Sequence, residues 1–377
     1  MRHVLIATTL LLVSATAGAQ TATQTGDWTA RLNDTWPRQN GERWINLQLH
    51  RDSGRRWGIS VRTGEAQGLP TREDYSGDAR FSLKRDAGTI DFDGVFRNGR
   101  GTGEYRFTPN AEFVRTVQQQ FSSRLTDEEV FRLAVHDVSR GFMESIRKEG
   151  YQDVRPDDYV RMRIHGVDAD YIRAFRSGGY SRLSVDDLVR TRIHGATPVF
   201  VQDIRSQGID NLSVDDLVKM RIHGVTPEFI RQMRDAGYKD LPVDRLVRLR
   251  IHGVTPEYIR QVRDHGFANL TLDDFVRMRI HGVTTEFMRE MKGLGYGEAS
   301  IDDLVRFRIH GVTPQFIREL KELGYGNLRA GQLVQFRIHG VTPDFIREVR
   351  DAGFKDLRAD ELVDFSIHGR RWLRRRG

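Results

Sequence analysis

The 377-residue chain contains no cysteine. That excludes disulfides, thiol catalysis and cysteine-ligated zinc. No stretch after the first twenty residues approaches the run of about 18 apolar residues that a membrane-spanning helix requires. The familiar catalytic signatures are also missing: there is no His-Glu-x-x-His, no Gly-x-Ser-x-Gly and no Gly-x-x-x-x-Gly-Lys-Ser/Thr. Hydrophobic residues make up 38% and charged residues 29% of the chain. This is polar for a globular protein, yet too regularly patterned for a disordered one.

The basic balance is local. The formal net charge is +7, but residues 21–108 hold 14 basic and 12 acidic side chains, and residues 109–369 hold 39 and 40. Five arginines stand in the last eight residues. A nucleic-acid reader needs a basic stripe along its length, because phosphate neutralisation dominates its affinity. The near-neutral long region therefore opposes nucleic acid as a partner.

Residues 1–19 read as a signal peptide. Arg2 and His3 precede an apolar stretch from Val4 to Val13, and Ala17-Gly18-Ala19 offers a small-residue cleavage site. The expectation is a periplasmic or secreted protein without a transmembrane span after cleavage. Residues 20–108 read as a small antiparallel β domain of about six strands. Trp44–Leu49 and Trp57–Val61 have strand character, Asp86-Ala87-Gly88 reads as a hairpin turn, and Gly99–Gly103 as a glycine hairpin loop. The last of these opens no helix and so lacks the context of a phosphate loop. Trp28, Trp36, Trp44 and Trp57 read as core, with an exposed glycan- or peptide-binding face as the alternative. Residues 109–121 form a linker or a leading helix.

From residue 122 to 369 the chain repeats every 29 residues. His165, His194, His223, His252, His281, His310, His339 and His368 mark the period, and His136 extends it backwards. Arg-Ile-His-Gly recurs at Arg163, Arg192, Arg221, Arg250, Arg279, Arg308 and Arg337, and the eighth copy reads Ser366-Ile367-His368-Gly369. Each unit carries two helix signatures, as in Ser213-to-Gly224 and Thr226-to-Gly237: a capping Ser or Thr, Pro or acid in the first turn, and Gly as the stop. Two helices of this length cannot bury their apolar stripes alone, whereas stacked units can. The fold class is α+β, mainly α: a β domain followed by an α-solenoid of nine helical hairpins, the first degenerate and the last truncated.

The recurring polar residues need a role. A histidine ladder resembles a metal array or a proton wire, but ligands of one zinc ion approach within about 4 Å, whereas helices in neighbouring units pack about 8–10 Å apart. The histidines therefore read as caps of their helices or as bonds to the next unit, and neither metal nor cofactor is expected. By helical angle Arg192 falls on the apolar face with Val185 and Leu188. It then requires an acid, such as the stacked Asp186/Asp187 positions, or a helix end in the neighbouring unit. In the tail, Arg370, Arg371, Trp372, Arg374, Arg375 and Arg376 are candidate contacts for anionic lipid or polymer.

The Gly26–Ala30 opening of the β unit, Asp86–Ile90, Phe92–Phe96 and the Gly224–Arg231 type of repeat together resemble a known arrangement. It is the periplasmic C-terminal extension of some membrane-embedded zinc metallopeptidases of the β-lactam-sensing antirepressor type. The peptidase's zinc motif and membrane helices are absent from this sequence, so neither proteolysis nor antibiotic binding carries over. The resemblance implies a free-standing accessory or sensory region of the cell envelope. The expected function is a non-enzymatic interaction scaffold or sensor that binds an envelope protein through the array. The alternatives are an anionic-polymer or lipid-surface binder using the array and tail, and, third, a nucleic-acid-binding repeat protein.

Overall fold

The structure is a computed structural model that describes residues 23–32, 44–51 and 54–369. The expected signal segment 1–19, Trp36 and the tail contacts Arg370, Arg371, Trp372, Arg374, Arg375 and Arg376 lie outside the described residues. The chain is mainly helical, with an antiparallel sheet at its start.

Seven strands build the sheet, one more than the turn spacing implies: β1 (Gln24–Arg31), β2 (Trp44–His50), β3 (Arg56–Arg62), β4 (Ala66–Gln67), β5 (Gly77–Arg85), β6 (Gly88–Arg97) and β7 (Arg100–Pro109). Their spatial order is β3-β2-β1-β7-β6-β5-β4. The two edge strands, β3 and β4, are consecutive in the chain and are joined only by the 3-10 turn Thr63–Glu65. Three residues reach at most about 11 Å, whereas a flat seven-strand sheet would hold its edges about 29 Å apart. The connection therefore obliges the sheet to curl.

The β6–β7 hairpin corrects the reading of Gly99–Gly103 as a loop. The turn is Asn98-Gly99 alone, with φ of 47° and 73°, and Gly101 and Gly103 lie inside β7. They are glycines because of close approach: a Cβ on Gly101 would stand 2.5 Å from the Phe96 ring, and one on Gly103 2.0 Å from the Asp93 carbonyl. Trp28 is fully buried on the inner face, edge-on to Phe81 at 5.2 Å and to Phe92 at 6.0 Å. Trp44 and Trp57 are half-buried.

Helix α1 (Ala111–Gln118) follows, capped by the Asn110 side chain, which accepts from the Glu112 and Phe113 N–H groups. Helices α2 (Asp127–Val135) and α3 (Arg140–Lys148) form the degenerate first repeat. This repeat seals the sheet. Phe131 of α2 is buried against Trp57 at 5.2 Å, Tyr105 at 5.6 Å and Phe107 at 5.2 Å. Burial of such a ring contributes about 2–3 kcal/mol. Asp86, in the β5–β6 turn, accepts from the Arg140 guanidinium at 2.8 Å and from its backbone N–H at 2.8 Å. Burial raises the Asp86 pKa, but the bonds and charge of Arg140 overcome this and hold it below the usual carboxylate value.

Seven further complete helical hairpins follow, from Pro156–Ile164 with Ala169–Ser177 to Ala330–Ile338 with Pro343–Asp351, and then the single helix Ala359–Asp364 with a π turn at Phe365–Gly369. The chain forms two compact units, one up to Ile193 and one from His194. Within each unit, first helices pack on first helices of adjacent repeats, and in the second unit second helices likewise pack on second helices. In the repeat Val243–Asp264 the core is Leu246, Val247, Leu249, Val254, Tyr258, Ile259 and Val262, all buried.

Candidate interaction surface

Most repeats end their first helix in the same way. In the repeat containing His252, the Gly253 N–H reaches the Arg250 carbonyl at 3.1 Å and the Val254 N–H reaches the Leu249 carbonyl at 2.8 Å. Gly253 has φ of +64°, His252 is the C-cap, and Val254 is fully buried beyond it. This double bond pattern closes a helix with a left-handed glycine and a hydrophobic anchor. It leaves further carbonyls facing the next repeat.

The arginine of the following repeat takes that place. Arg279 donates from Nε to the His252 carbonyl at 3.3 Å, and Arg337 to that of His310 at 3.2 Å. Arg192 donates to the Gly166 carbonyl at 2.9 Å. The same guanidinium lies over the aromatic ring that opens the preceding repeat's second helix: Arg192 over Tyr171 at 4.3 Å, Arg221 over Phe200 at 5.0 Å, Arg250 over Phe229 at 5.1 Å, Arg279 over Tyr258 at 4.9 Å, Arg308 over Phe287 at 5.1 Å and Arg337 over Phe316 at 5.0 Å. Arg163 lies over Phe142 at 5.4 Å and also pairs with Asp137 at 2.7 Å. In the last unit Ser366 replaces the arginine and still donates to the His339 carbonyl, at 2.6 Å.

The placement of Arg192 on the buried apolar face is thereby corrected. Its angle on the helix falls among the packed residues, but it stands in the last turn, passes over the neighbouring ring and remains exposed. Of its two candidate partners, the helix end is the one it has. The stacked acids are used by the basic residue two positions earlier. Arg161 pairs with Asp186 at 2.7 Å, Lys219 with Asp244 at 2.9 Å, Arg248 with Asp273 at 2.9 Å, and Arg277 with Asp302. A third ladder runs along the second helices, where Arg263 donates to the Ala236 carbonyl at 3.2 Å and Arg350 to that of Leu323 at 2.6 Å. Where these bonds form, a repeat caps a helix end of the one before it.

The histidines take C-cap or terminal positions of the first helices. His165, His223, His252, His281 and His339 are caps, and His310 is the last helical residue. Their backbone carbonyls, where bonded, receive the next repeat's Arg or Ser. His339 contacts Gln335 at 2.9 Å and His368 contacts Asp364 at 2.9 Å, each within its own turn. His194 and His223 are exposed. Among the described residues no group of three or more His, Asp or Glu is arranged to hold a metal ion.

The residue that sequence reasoning passed over is the isoleucine between Arg and His. Ile164, Ile193, Ile222, Ile251, Ile280, Ile309, Ile338 and Ile367 are all exposed, by 50% to 57%. The glycine beside each is demanded by its φ, the arginine by its ring and carbonyl, and the following Val by burial. The fold makes no comparable demand for a large apolar residue at this exposed site. Other exposed positions drift from repeat to repeat: the second residue of the second helix is Asp170, Val199, Glu228 or Gln315. The sequence carried only a weak signal: on a 3.6-residue wheel Ile193 lies about 40° beyond Val189, at the edge of the stripe formed by Leu188, Val189 and Thr191, yet the position never becomes polar.

The outer face of the sheet is the other polar concentration. Asp27, Glu104 and Asp93 face one another across β1, β7 and β6 in register, and Arg80 follows on β5. Arg80 pairs with Asp93 at 3.0 Å. These carboxylates are exposed, and Asp93 and Glu104 border an open depression of about 640 Å³.

No family model, curated protein or solved structure matches the chain.

Proposed function

We propose that this protein is a non-enzymatic interaction scaffold of the cell envelope that binds a protein partner along the exposed ends of its first helices. The observation that carries this reading is the isoleucine row. A single exposed aliphatic side chain needs no explanation. One held at the same exposed position in eight successive repeats, while an exposed position of the second helix varies, forms a periodic apolar surface of the kind that marks an interaction site. The repeated chemistry is itself an argument against catalysis, since an active centre is unique and this motif occurs in every unit. The signal-like first nineteen residues and the resemblance to a periplasmic extension support the envelope location.

A second reading has one observation in its favour. The motif arginines Arg192, Arg221, Arg250, Arg279, Arg308 and Arg337 lie over rings without a carboxylate partner among the described residues, so an anionic polymer or lipid surface has cations to meet. Such a ligand gives no role to the isoleucines, and for that reason it ranks below a protein.

Site-specific photocrosslinking in cells separates the two readings. A photoreactive amino acid is placed at position 280 in the row, or at Lys239, which is exposed outside it. A discrete protein adduct from 280 and none from 239 is the expected result. No protein adduct from 280, or equal adducts from both, overturns the scaffold.

A further inference from the structure

The chemistry of the row narrows what it can hold, and the argument rests on the scaffold reading above. In the second unit the isoleucines from Ile222 to Ile338 recur once per repeat, each preceded by an arginine and followed by a histidine. None of these arginines pairs with a carboxylate among the described residues. Their guanidinium faces are used by rings and their Nε atoms in part by carbonyls, which leaves terminal N–H groups for an outside acceptor. The surface is therefore a line of aliphatic seats, each beside a cation, and its complement is a line of aliphatic side chains beside carboxylates.

The spacing selects the conformation. First helices of adjacent repeats in the second unit are in contact, and contacting helices pack about 8–10 Å apart. A polyproline II segment rises about 3.1 Å per residue with three residues per turn, so every third side chain returns to one face after about 9.3 Å. A β-strand presents one face every second residue, after about 6.7 Å, and falls out of step within two repeats. A β-strand also needs an open sheet edge to satisfy its backbone, which helix ends do not provide, whereas a polyproline II backbone remains solvated.

We infer that the isoleucine row of the second unit is a docking track for an extended, proline-containing acidic segment of another protein, with an aliphatic residue at every third position and a carboxylate beside it. A track of five seats takes a segment of about 15 residues.

Fluorescence anisotropy with the full chain and labelled synthetic 15-residue peptides tests the inference. The probes are a Leu-Glu-Pro repeat, a peptide of the same composition with Leu at every second position, the repeat with Lys in place of Glu, and vesicles containing anionic phospholipid. Binding of the first peptide at least tenfold tighter than the second and third is expected, with a further tenfold loss in the double variant Ile280→Ser/Ile309→Ser. These side chains are half exposed, so the variant should keep the parent melting temperature, and circular dichroism checks this. Equal affinity for the first two peptides, an unaffected double variant with parent stability, or binding to vesicles but to no peptide overturns the inference. If no peptide binds while the photocrosslinker at 280 still yields a protein adduct, this ligand class fails and the scaffold survives. If the adduct is also absent, both fail.

Discussion

The guanidinium of Arg279 lies 4.9 Å over the ring of Tyr258, and the Tyr258 hydroxyl donates in turn to the Val283 carbonyl at 2.8 Å. One repeat's arginine, the previous repeat's ring and the next turn of backbone are thereby joined in a single chain of contacts. Burial pushes the Tyr258 phenol up to about 12, against the opposing effect of Arg279, so the hydroxyl remains a donor throughout the neutral range. Cation–π contacts contribute about 0.5–2 kcal/mol according to solvation, and the hydrogen bond about 1 kcal/mol. Arg279→Gln should destabilise the chain by about 1–2 kcal/mol, Arg279→Lys by about half of that, and Tyr258→Phe by about 1 kcal/mol while preserving the ring. Urea unfolding of the three variants checks the order. A loss with Lys as large as with Gln would show that the planar fork, and not the charge, is what the site requires.

The seat under that guanidinium can be measured separately from backbone strain. Gly166 and Gly253 have nearly the same φ, +66° and +64°. A Cβ on Gly166 would stand 3.6 Å from the Arg192 guanidinium, whereas one on Gly253 would stand 2.8 Å from that of Arg279. Gly→Ala at a left-handed position costs about 1 kcal/mol in either case. Gly253→Ala should cost measurably more than Gly166→Ala, and the excess should vanish in an Arg279→Ala background. A persistent excess in the double variant would mean that the guanidinium is not what the methyl displaces.

Much of this architecture could be read from residue order, because the features that specify it are local. Thr or Ser caps, Pro at the first helical position and Gly at the stop appear in the repeats, and each corresponds to one hydrogen bond or one φ. The partner of Arg192 could not be read in the same way. Helical angle places its Cα among the buried residues, but a side chain in the last turn reaches beyond the helix. Its ring and carbonyl belong to a repeat whose distance is a tertiary property. The isoleucine row was overlooked for the opposite reason: an apolar residue in an apolar-rich helix reads as core until burial shows otherwise. The seven-strand order likewise depends on β1 pairing with β7, a contact between the two ends of the domain that turn spacing does not encode.

The outer face of the sheet carries an unfavourable pairing. Glu104 stands directly opposite Asp27 on one side and Asp93 on the other. Asp93 pairs with Arg80 on the next strand at 3.0 Å. Like charges in cross-strand register are destabilising by a few tenths to about 1 kcal/mol. Glu104→Lys should therefore raise the melting temperature at low salt, and the gain should shrink at about 1 M salt, where the screening length falls to about 3 Å. A gain unaffected by salt would point to β-propensity rather than charge.

The join between the sheet and the first repeat should respond to pH through His136. This residue caps α2, the helix that packs against β6 and β7. Burial pushes its pKa down from 6.5 to about 4, and the nearby Arg132 acts in the same direction. Between these values the unfolded chain binds the proton and the folded chain does not. Stability is therefore fully present above about pH 6.5 and falls as the pH drops towards 4, by about 3 kcal/mol at most. The Asp86 carboxylate beside Arg140, held below its usual value, adds a second loss, which begins only as the pH reaches the ordinary carboxylate range. The two can be told apart. His136→Gln should flatten the melting temperature between pH 6.5 and 5 and leave the lower part of the curve intact, whereas Asp86→Asn should lower stability near pH 7 and flatten the acid limb. If the His136→Gln profile follows the parent between pH 6.5 and 5, the acid sensitivity of this join has another source.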